Sequence, residues 1–311
     1  MKRREFIRGA ATCAAGLATG VNLFAERTSK TSAANLTDGV DLSDATTLGE
    51  KLAAMTPYLT LNNRILMPII GFCAGKFDGS KDKNALEAAL GLGYRLIDTD
   101  GGEEGAATAF AASGLERGQL FIQSSVSAQN ADESDMIKSF EYSLKKLNTD
   151  YVDLLLLRVV ACDAGSAWRV LQRLYREGLA AAIGICDHLG EFGAENLAKI
   201  AQGSEVRPAV YQTPTRSYLR HFAAHGKLTD HSVQVQLRYE PGEELKEPAL
   251  AQIGEKYGKT RMQIILRWLV QHGACVIINA DNKDRLLENI DIFGFELARE
   301  DAARIAKLRW S

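Results

Sequence analysis

DYVDLLLLRVV (150–160) is aliphatic almost throughout 152–157 and then delivers a permanent charge, Arg158. A short continuous apolar run of this kind is the pattern of a strand buried on both faces, as in a parallel sheet. A guanidinium at the carboxyl end of such a strand needs a partner or a ligand there. Seven further apolar runs lie on either side, at 69–72, 95–98, 120–124, 181–186, 208–212, 232–236 and 275–278. Helical patterns at 83–92, 132–147, 164–177 and 262–271 lie between them. In AGSAWRVLQRLYREG (164–178), Trp168, Leu171, Leu174 and Tyr175 share one face and Gly178 marks the stop. Asp132 has the position and side chain of a helix N-cap. Eight strands alternating with helices, with no hairpin signal among them, predict an α/β fold: a single (β/α)8 TIM barrel rather than an open sheet.

Composition is consistent with that reading. The 311 residues are 46% hydrophobic and 24% charged, ordinary values for a globular protein, and suffice for one large barrel. A formal net charge of −2, with no basic patch interleaved with aromatics, points away from nucleic acid. No run of eighteen apolar residues exists, so no membrane-spanning helix is expected. The five cysteines are scattered without a CxxC pair, which fits neither a zinc pattern nor a disulfide framework.

The first residues differ from the rest. MKRREFIRGAATCAAGLATGVNLFA (1–25) has a basic start, then a mildly apolar Ala/Gly-rich stretch with a cut site after Ala25. The pair Arg3-Arg4 followed by Phe6, Ile7 and Arg8 resembles a twin-arginine signal. The expectation is a signal at 1–25, a polar linker at 26–56 and the barrel at 57–311. The protein would be carried by the twin-arginine export machinery to a periplasmic or other extracytoplasmic site.

In a closed parallel barrel the loops after the strands build the functional face, so strand-end residues are the candidates. They are Cys73, Asp98, Asp100, Ser125, Arg158, Cys186, Asp187, His188, Gln212, Arg238 and Asn279. Arg158 is expected to point into the barrel mouth. There it can pair internally with Asp98, Asp100, Glu103 or Asp187, or hold a carboxylate or phosphate. Asp98, Asp100, Glu103, Glu104, Asp187 and His188 offer oxygen and imidazole ligands, but their spacing matches no metal motif, and no metal is expected. Cys162 and Cys186 follow neighbouring strands; a disulfide between them is conceivable in an oxidising compartment, buried free thiols being the alternative.

Six segments in order resemble the aldo-keto reductase family: LTLNNRILMPIIGF (59–72), GYRLIDTD (93–100), DYVDLLLL (150–157), YREGLAAAIGI (175–185), KYGKTRMQIILRWLVQHG (256–273) and RLLENIDIFGFEL (285–297). The resemblance implies a (β/α)8 barrel opened by an N-terminal hairpin, and hydride transfer from NADP(H) to a carbonyl. It also implies a catalytic Tyr tuned by a Lys and an Asp, with a His orienting the substrate; a tyrosine that donates a proton near neutral pH needs such neighbours. The Asp falls on Asp98. The Tyr has no counterpart: DTDGGEEGAATAF runs straight into the next helix, and no tyrosine stands between Tyr94 and Tyr142. Ser125 falls at the place of the Lys, and Arg158 at the place of the His. Of the implied carboxamide contacts, the Ser-Asn pair falls on Cys186 and Asp187, while the Gln is kept as Gln212. Arg238 falls at the place of the ring-stacking Tyr and Asn279 at that of the phosphate-binding Lys. The adenine-end Arg, Glu and Asn are kept as Arg285, Glu288 and Asn289.

These residues support two readings. One is a barrel without the family's reductase mechanism, with Asp98 a remnant, that binds a small anionic or carbonyl ligand or a partner. The other is an NAD(P)H-dependent oxidoreductase with a rebuilt site. A lyase or hydrolase acting on an anionic substrate is a weaker third.

Overall fold

The computed structural model describes residues 47–75, 80–127, 132–159, 164–220 and 232–308. The leader therefore lies outside the described residues, as do Cys162 and most of the linker. The last part of that linker is not irregular. It forms α1 (Leu48–Met55), closed by a capping box in which the Thr47 hydroxyl accepts from the Glu50 amide and the Glu50 carboxylate accepts from the Thr47 amide. The polar composition of 26–56 conceals this T-x-x-E start.

An antiparallel hairpin follows, β1 (Tyr58–Thr60) with β2 (Leu66–Pro68), paired Leu59 to Met67. Its Leu61 and Met67 pack inside the barrel floor. Asn62 and Asn63 tie it down by donating to the carbonyls of Pro208 (2.8 Å) and Ala181 (2.9 Å).

Then the alternation begins. β3 (Ile70–Cys73) leads to α2 (Ser80–Gly91), β4 (Leu96–Asp98) to α3 (Glu103–Ser113), and β5 (Phe121–Ser127) to α4 (Glu133–Leu147). β6 (Val152–Val159) leads to α5 (Ala164–Arg176), β7 (Ala180–Asp187) to α6 (Gly193–Gly203), and β8 (Val210–Pro214) to the short α7 (Thr215–Arg220). β9 (Gln234–Tyr239) is followed by α8 (Pro248–Tyr257) and α9 (Arg261–Gln271). β10 (Cys275–Ile278) is followed by α10 (Lys283–Ile290) and α11 (Arg299–Ala306). Asp132 caps α4 by accepting from the Asp135 amide, and Gly178, at φ +78°, takes the left-handed turn after α5 that other residues resist.

The strands close in the order β10-β3-β4-β5-β6-β7-β8-β9, every neighbouring pair parallel. Side chains alternate between the lumen and the helix layer. On β6, Leu154 and Leu156 belong to the inner cluster and Leu155 and Leu157 to the outer one. All four are essentially fully buried, a gross burial on the order of 6–12 kcal/mol that anchors the strand ending in Arg158. Among the described residues no helix is long and apolar enough to cross a membrane.

Candidate functional site

The same alternation decides which strand ends face the mouth. Continuing from Leu154 and Leu156, Arg158 points into the lumen; Cys73, Asp98, Ser125, Cys186, Gln212 and Arg238 do likewise on their own strands, in phase with Leu96, Phe121 and Val210 of the inner cluster. Asp187 falls on the opposite phase, in step with Ile183 and Ile185 of the outer core. Its carboxylate accepts from the amides of Glu191 (3.0 Å) and Phe192 (3.1 Å) and from the Tyr211 hydroxyl (2.6 Å). Asp187, for which the resemblance implies a carboxamide contact, thus braces the start of α6.

β4 and α3 are joined only by residues 99–102. Thr99 is held by its hydroxyl and amide on the Gln123 carbonyl, and the turn packs so closely on the end of β3 that a Cβ on Gly75 would lie 1.6 Å from the Asp100 carbonyl oxygen. Asp100 is thereby held over the lumen. Of the four carboxylates weighed for Arg158, it is Asp100 that receives the guanidinium: Arg158 Nη2 donates to Asp100 Oδ2. Arg158 Nη2 also donates to Ser125 Oγ (3.0 Å), and Ser125 Oγ donates to Asp100 Oδ1 (2.9 Å). From β9, Arg238 Nη1 stands 3.7 Å from Asp100 Oδ2, and its Nη2 lies 3.8 Å from Cys73 Sγ. Glu103 is engaged instead by the Ser143 hydroxyl of α4 (3.3 Å).

Beneath this network runs a layer of buried amides. Gln212 Nε2 donates to Asp98 Oδ2 (3.3 Å) and to Gln236 Oε1 (2.8 Å), while Gln212 Oε1 accepts from Cys186 Sγ (2.9 Å). Gln236 Nε2 continues the chain to Gln123 Oε1 (2.8 Å). Asp98 is 2% exposed; burial pushes its carboxyl up to about 6, against the nearby positive charge of Arg238, with the negative charge of Asp100 adding to the rise. Burial likewise pushes the Cys73 thiol up to about 11 and the Cys186 thiol up to about 12, so both are protonated at neutral pH.

The fit of a nicotinamide cofactor differs between its two ends. At the reactive end the Gln212 amide is already spent on Asp98, Gln236 and Cys186, and Asp187 faces away from the lumen, so the residues present do not fit the ring. At the adenine end, Arg285 is two-thirds exposed, and its guanidinium pairs with Asp281 at 3.4 Å. Asn289 is buried with its Oδ1 lacking a partner among the described residues, whereas Glu288 accepts from Thr260 Oγ1 (2.6 Å). That end leaves groups open to a ligand.

Reading the sequence missed the role of Gln123 and Gln236 and the place of Asp100 as the hub. The alternation Gln234, Gln236, Arg238 in QVQLRY was the available signal, since polar residues in phase on a barrel strand share one face. The acidic residues and His188 weighed as metal ligands do not converge; among the described residues no three His, Cys, Asp or Glu side chains are grouped to hold an ion. Cys186 is a buried free thiol, and Cys162, with which a disulfide was conceivable, lies outside the described residues.

Comparison with known proteins agrees with the fold. The model of the Aldo/keto reductase family matches residues 70–229 and 215–309. An aldo-keto reductase of Mycolicibacterium smegmatis is 33% identical over 258 residues, covering 80% of this chain and 89% of that protein. The crystal structure of an aldo/keto reductase from Brucella melitensis superposes with a TM-score of 0.73 at 32% identity, covering 81% of this chain and 99% of that one. A further aldo-keto reductase, solved in complex with NADPH, gives a TM-score of 0.71 at 28% identity over 81% of this chain and 87% of that one.

Proposed function

The chain belongs to the aldo/keto reductase family, and from that premise we propose that it is a ligand-binding barrel that does not carry out the family's hydride transfer. The observation that carries this reading is the Asp100 hub. Ser125 and Arg158, at the places where the resemblance puts the Lys and the His, are bound to each other and to Asp100. No tyrosine takes the acid's place, because residues 99–102 pass directly into α3.

The remaining titratable groups of the mouth support it. Protonating a carbonyl oxygen needs an acid whose pKa lies near the working pH. The thiols of Cys73 and Cys186 are pushed too high, and the Tyr211 hydroxyl is raised by burial and committed to Asp187 on the outer side. Asp98, at about 6, is about one-tenth protonated at pH 7 and is buried against Gln212. The chain's own residues hold a ligand: Arg158 and Arg238 supply charge and orientation, and the amide layer below keeps the lumen rigid. The twin-arginine-like leader adds export to this reading, placing the barrel in the periplasm or another extracytoplasmic space.

A second reading rests on two specific observations. Asp98 at about 6 is a carboxylic acid whose protonated fraction grows below neutrality, and the adenine end leaves Arg285 and Asn289 open. NADP(H) binding, as in the relative solved with NADPH, would then accompany carbonyl reduction that accelerates as pH falls towards 6. Titrating NADPH and NADH into the purified protein, with cofactor fluorescence as readout, decides between them. The proposal expects no binding up to millimolar nucleotide. Micromolar binding, with oxidation of NADPH by an aldehyde panel, removes it in favour of the oxidoreductase.

A further inference from the structure

The donors around Asp100 and the carboxylate they hold come from different kinds of structure. Ser125, Arg158 and Arg238 stand on β5, β6 and β9, three strands of a closed barrel. Asp100 stands on the four-residue connection after β4, and its side chain is one-fifth exposed. The strands present a fixed set of donors on which the loop has laid a carboxylate, with one oxygen towards the two guanidiniums and the other towards the Ser125 hydroxyl. That is the arrangement with which proteins recognise a planar, two-oxygen anion.

The donors also exceed what Asp100 uses. Arg158 Nε is buried with no hydrogen-bond partner among the described residues, although it shares the side-on edge of the guanidinium with the engaged Nη2. Arg238 is only 11% exposed, yet it stands 3.7 Å from Asp100, longer than a hydrogen bond to oxygen, and its Nη2 donates to the weak acceptor Cys73 Sγ at 3.8 Å. Asp98, the other negative group in the lumen, accepts from Gln212 and from the Asp100 amide instead of from either arginine. A buried guanidinium nitrogen with an unspent donor is costly unless an acceptor completes it.

We propose that the mouth is a binding site for the carboxylate of a small organic acid, in which Asp100 is an internal occupant that the ligand displaces from Arg158, Arg238 and Ser125. The inference rests on the reading of the mouth as a ligand site and names the ligand's class. Rotation of the Asp100 side chain frees the donors without moving the turn that Gly75 receives. A free acid, unconstrained by a backbone, then reaches Arg158 Nε and Arg238 together, which Asp100 does not.

Calorimetric titration of the full chain with benzoate, and of Asp100→Asn with the same probe, tests the displacement. The substitution keeps the side chain's shape and removes the competing charge, so benzoate is expected to bind at least tenfold tighter to the variant. Adding Arg158→Met to Asp100→Asn should abolish the gain. Unchanged affinity in a folded Asp100→Asn overturns the proposal. Inorganic phosphate binding the variant more tightly than benzoate overturns the carboxylate class. Should the variant fail to fold, 15N NMR of the unsubstituted protein reads the same contact: benzoate must shift the Arg158 Nε resonance, and a resonance that stays put rejects it. NADPH-dependent aldehyde reduction by the same preparation would remove the earlier function while leaving a positive benzoate result standing. Neither reduction nor benzoate binding would remove this inference alone.

Discussion

At the floor end of β6, Asp153 points outward and pairs with Arg117 at 2.8 Å; five residues on, at the mouth end, Arg158 points inward and pairs with Asp100. The two pairs share a strand, lie roughly 16 Å apart along it, and are each assisted by a hydroxyl. Yet all three guanidinium nitrogens of Arg117 are engaged, by Thr149 Oγ1 (3.2 Å), the Leu120 carbonyl (3.1 Å), the Tyr151 carbonyl (3.0 Å) and Asp153 itself. Its plane also stacks 4.0 Å from the Tyr151 ring centre, and Asp153 takes the Ile122 amide. The mouth pair leaves Arg158 Nε without a partner among the described residues and holds Arg238 at arm's length. A pair that exhausts its donors is a rivet; a pair that leaves donors over on a fixed scaffold is a site partly filled.

The largest effect expected from this contrast is on stability at the floor. Arg117→Met leaves Asp153, whose carboxyl burial already raises, without its counter-charge, and should cost about 3 kcal/mol or more in urea unfolding. Arg158→Met removes a pair of similar exposure whose guanidinium makes fewer hydrogen bonds, and should cost less, about 1–2 kcal/mol, while eliminating anion binding. Equal costs at both ends would make the mouth pair a second rivet and dissolve the comparison.

Next in size is the pH dependence carried by Asp98. Its folded pKa of about 6 stands above the ordinary 3.8, so its contribution to stability is greatest below 3.8 and is lost as pH rises through about 6. The linked penalty above pH 6 is on the order of 2–3 kcal/mol. Asp98→Asn should therefore be more stable than the natural chain at pH 7.5, with the difference shrinking towards pH 4. A stability gap that is flat between pH 4 and 7.5 would show that Asp98 is not strained by its burial.

Much of this architecture was legible in the residues, and the failures have physical causes. The eight apolar runs became the eight barrel strands, 275–278 with the same bounds, because a strand buried on both faces is apolar along most of its length. That same uniformity hid the phase of AAAIGICD, so Cys186 and Asp187 both read as lumen residues although only Cys186 faces inward. The loss of the tyrosine loop is visible as a count of residues. The choice of Asp100 among four carboxylates is not, since it depends on how closely Gly75 lets the turn after β4 approach. α1 was overlooked because its signal is two capping residues in a polar stretch, with Leu52 its main buried side chain. The phase of QVQLRY marks Gln236 as sharing a face with Arg238, but a glutamine within a strand does not show that its partner, Gln123, lies across the barrel.

The finest resolution of the comparison lies in the two hydroxyls. Thr149 Oγ1 accepts from Arg117 Nε and donates to the Tyr151 carbonyl (3.1 Å), and Ser125 Oγ accepts from Arg158 Nη2 and donates to Asp100 Oδ1. Each makes two hydrogen bonds, and a net hydrogen bond to stability is worth about 1 kcal/mol. At the floor the partners cannot rearrange, so Thr149→Val should cost about 1–1.5 kcal/mol. At the mouth, solvent reaches the pair and can replace the hydroxyl, so Ser125→Ala should cost about 0.5 kcal/mol or less in stability. Its effect should surface instead as a several-fold loss in benzoate affinity for the Asp100→Asn background. If Ser125→Ala destabilises as much as Thr149→Val and leaves benzoate binding untouched, the serine belongs to the scaffold and the carboxylate is held by the arginines alone.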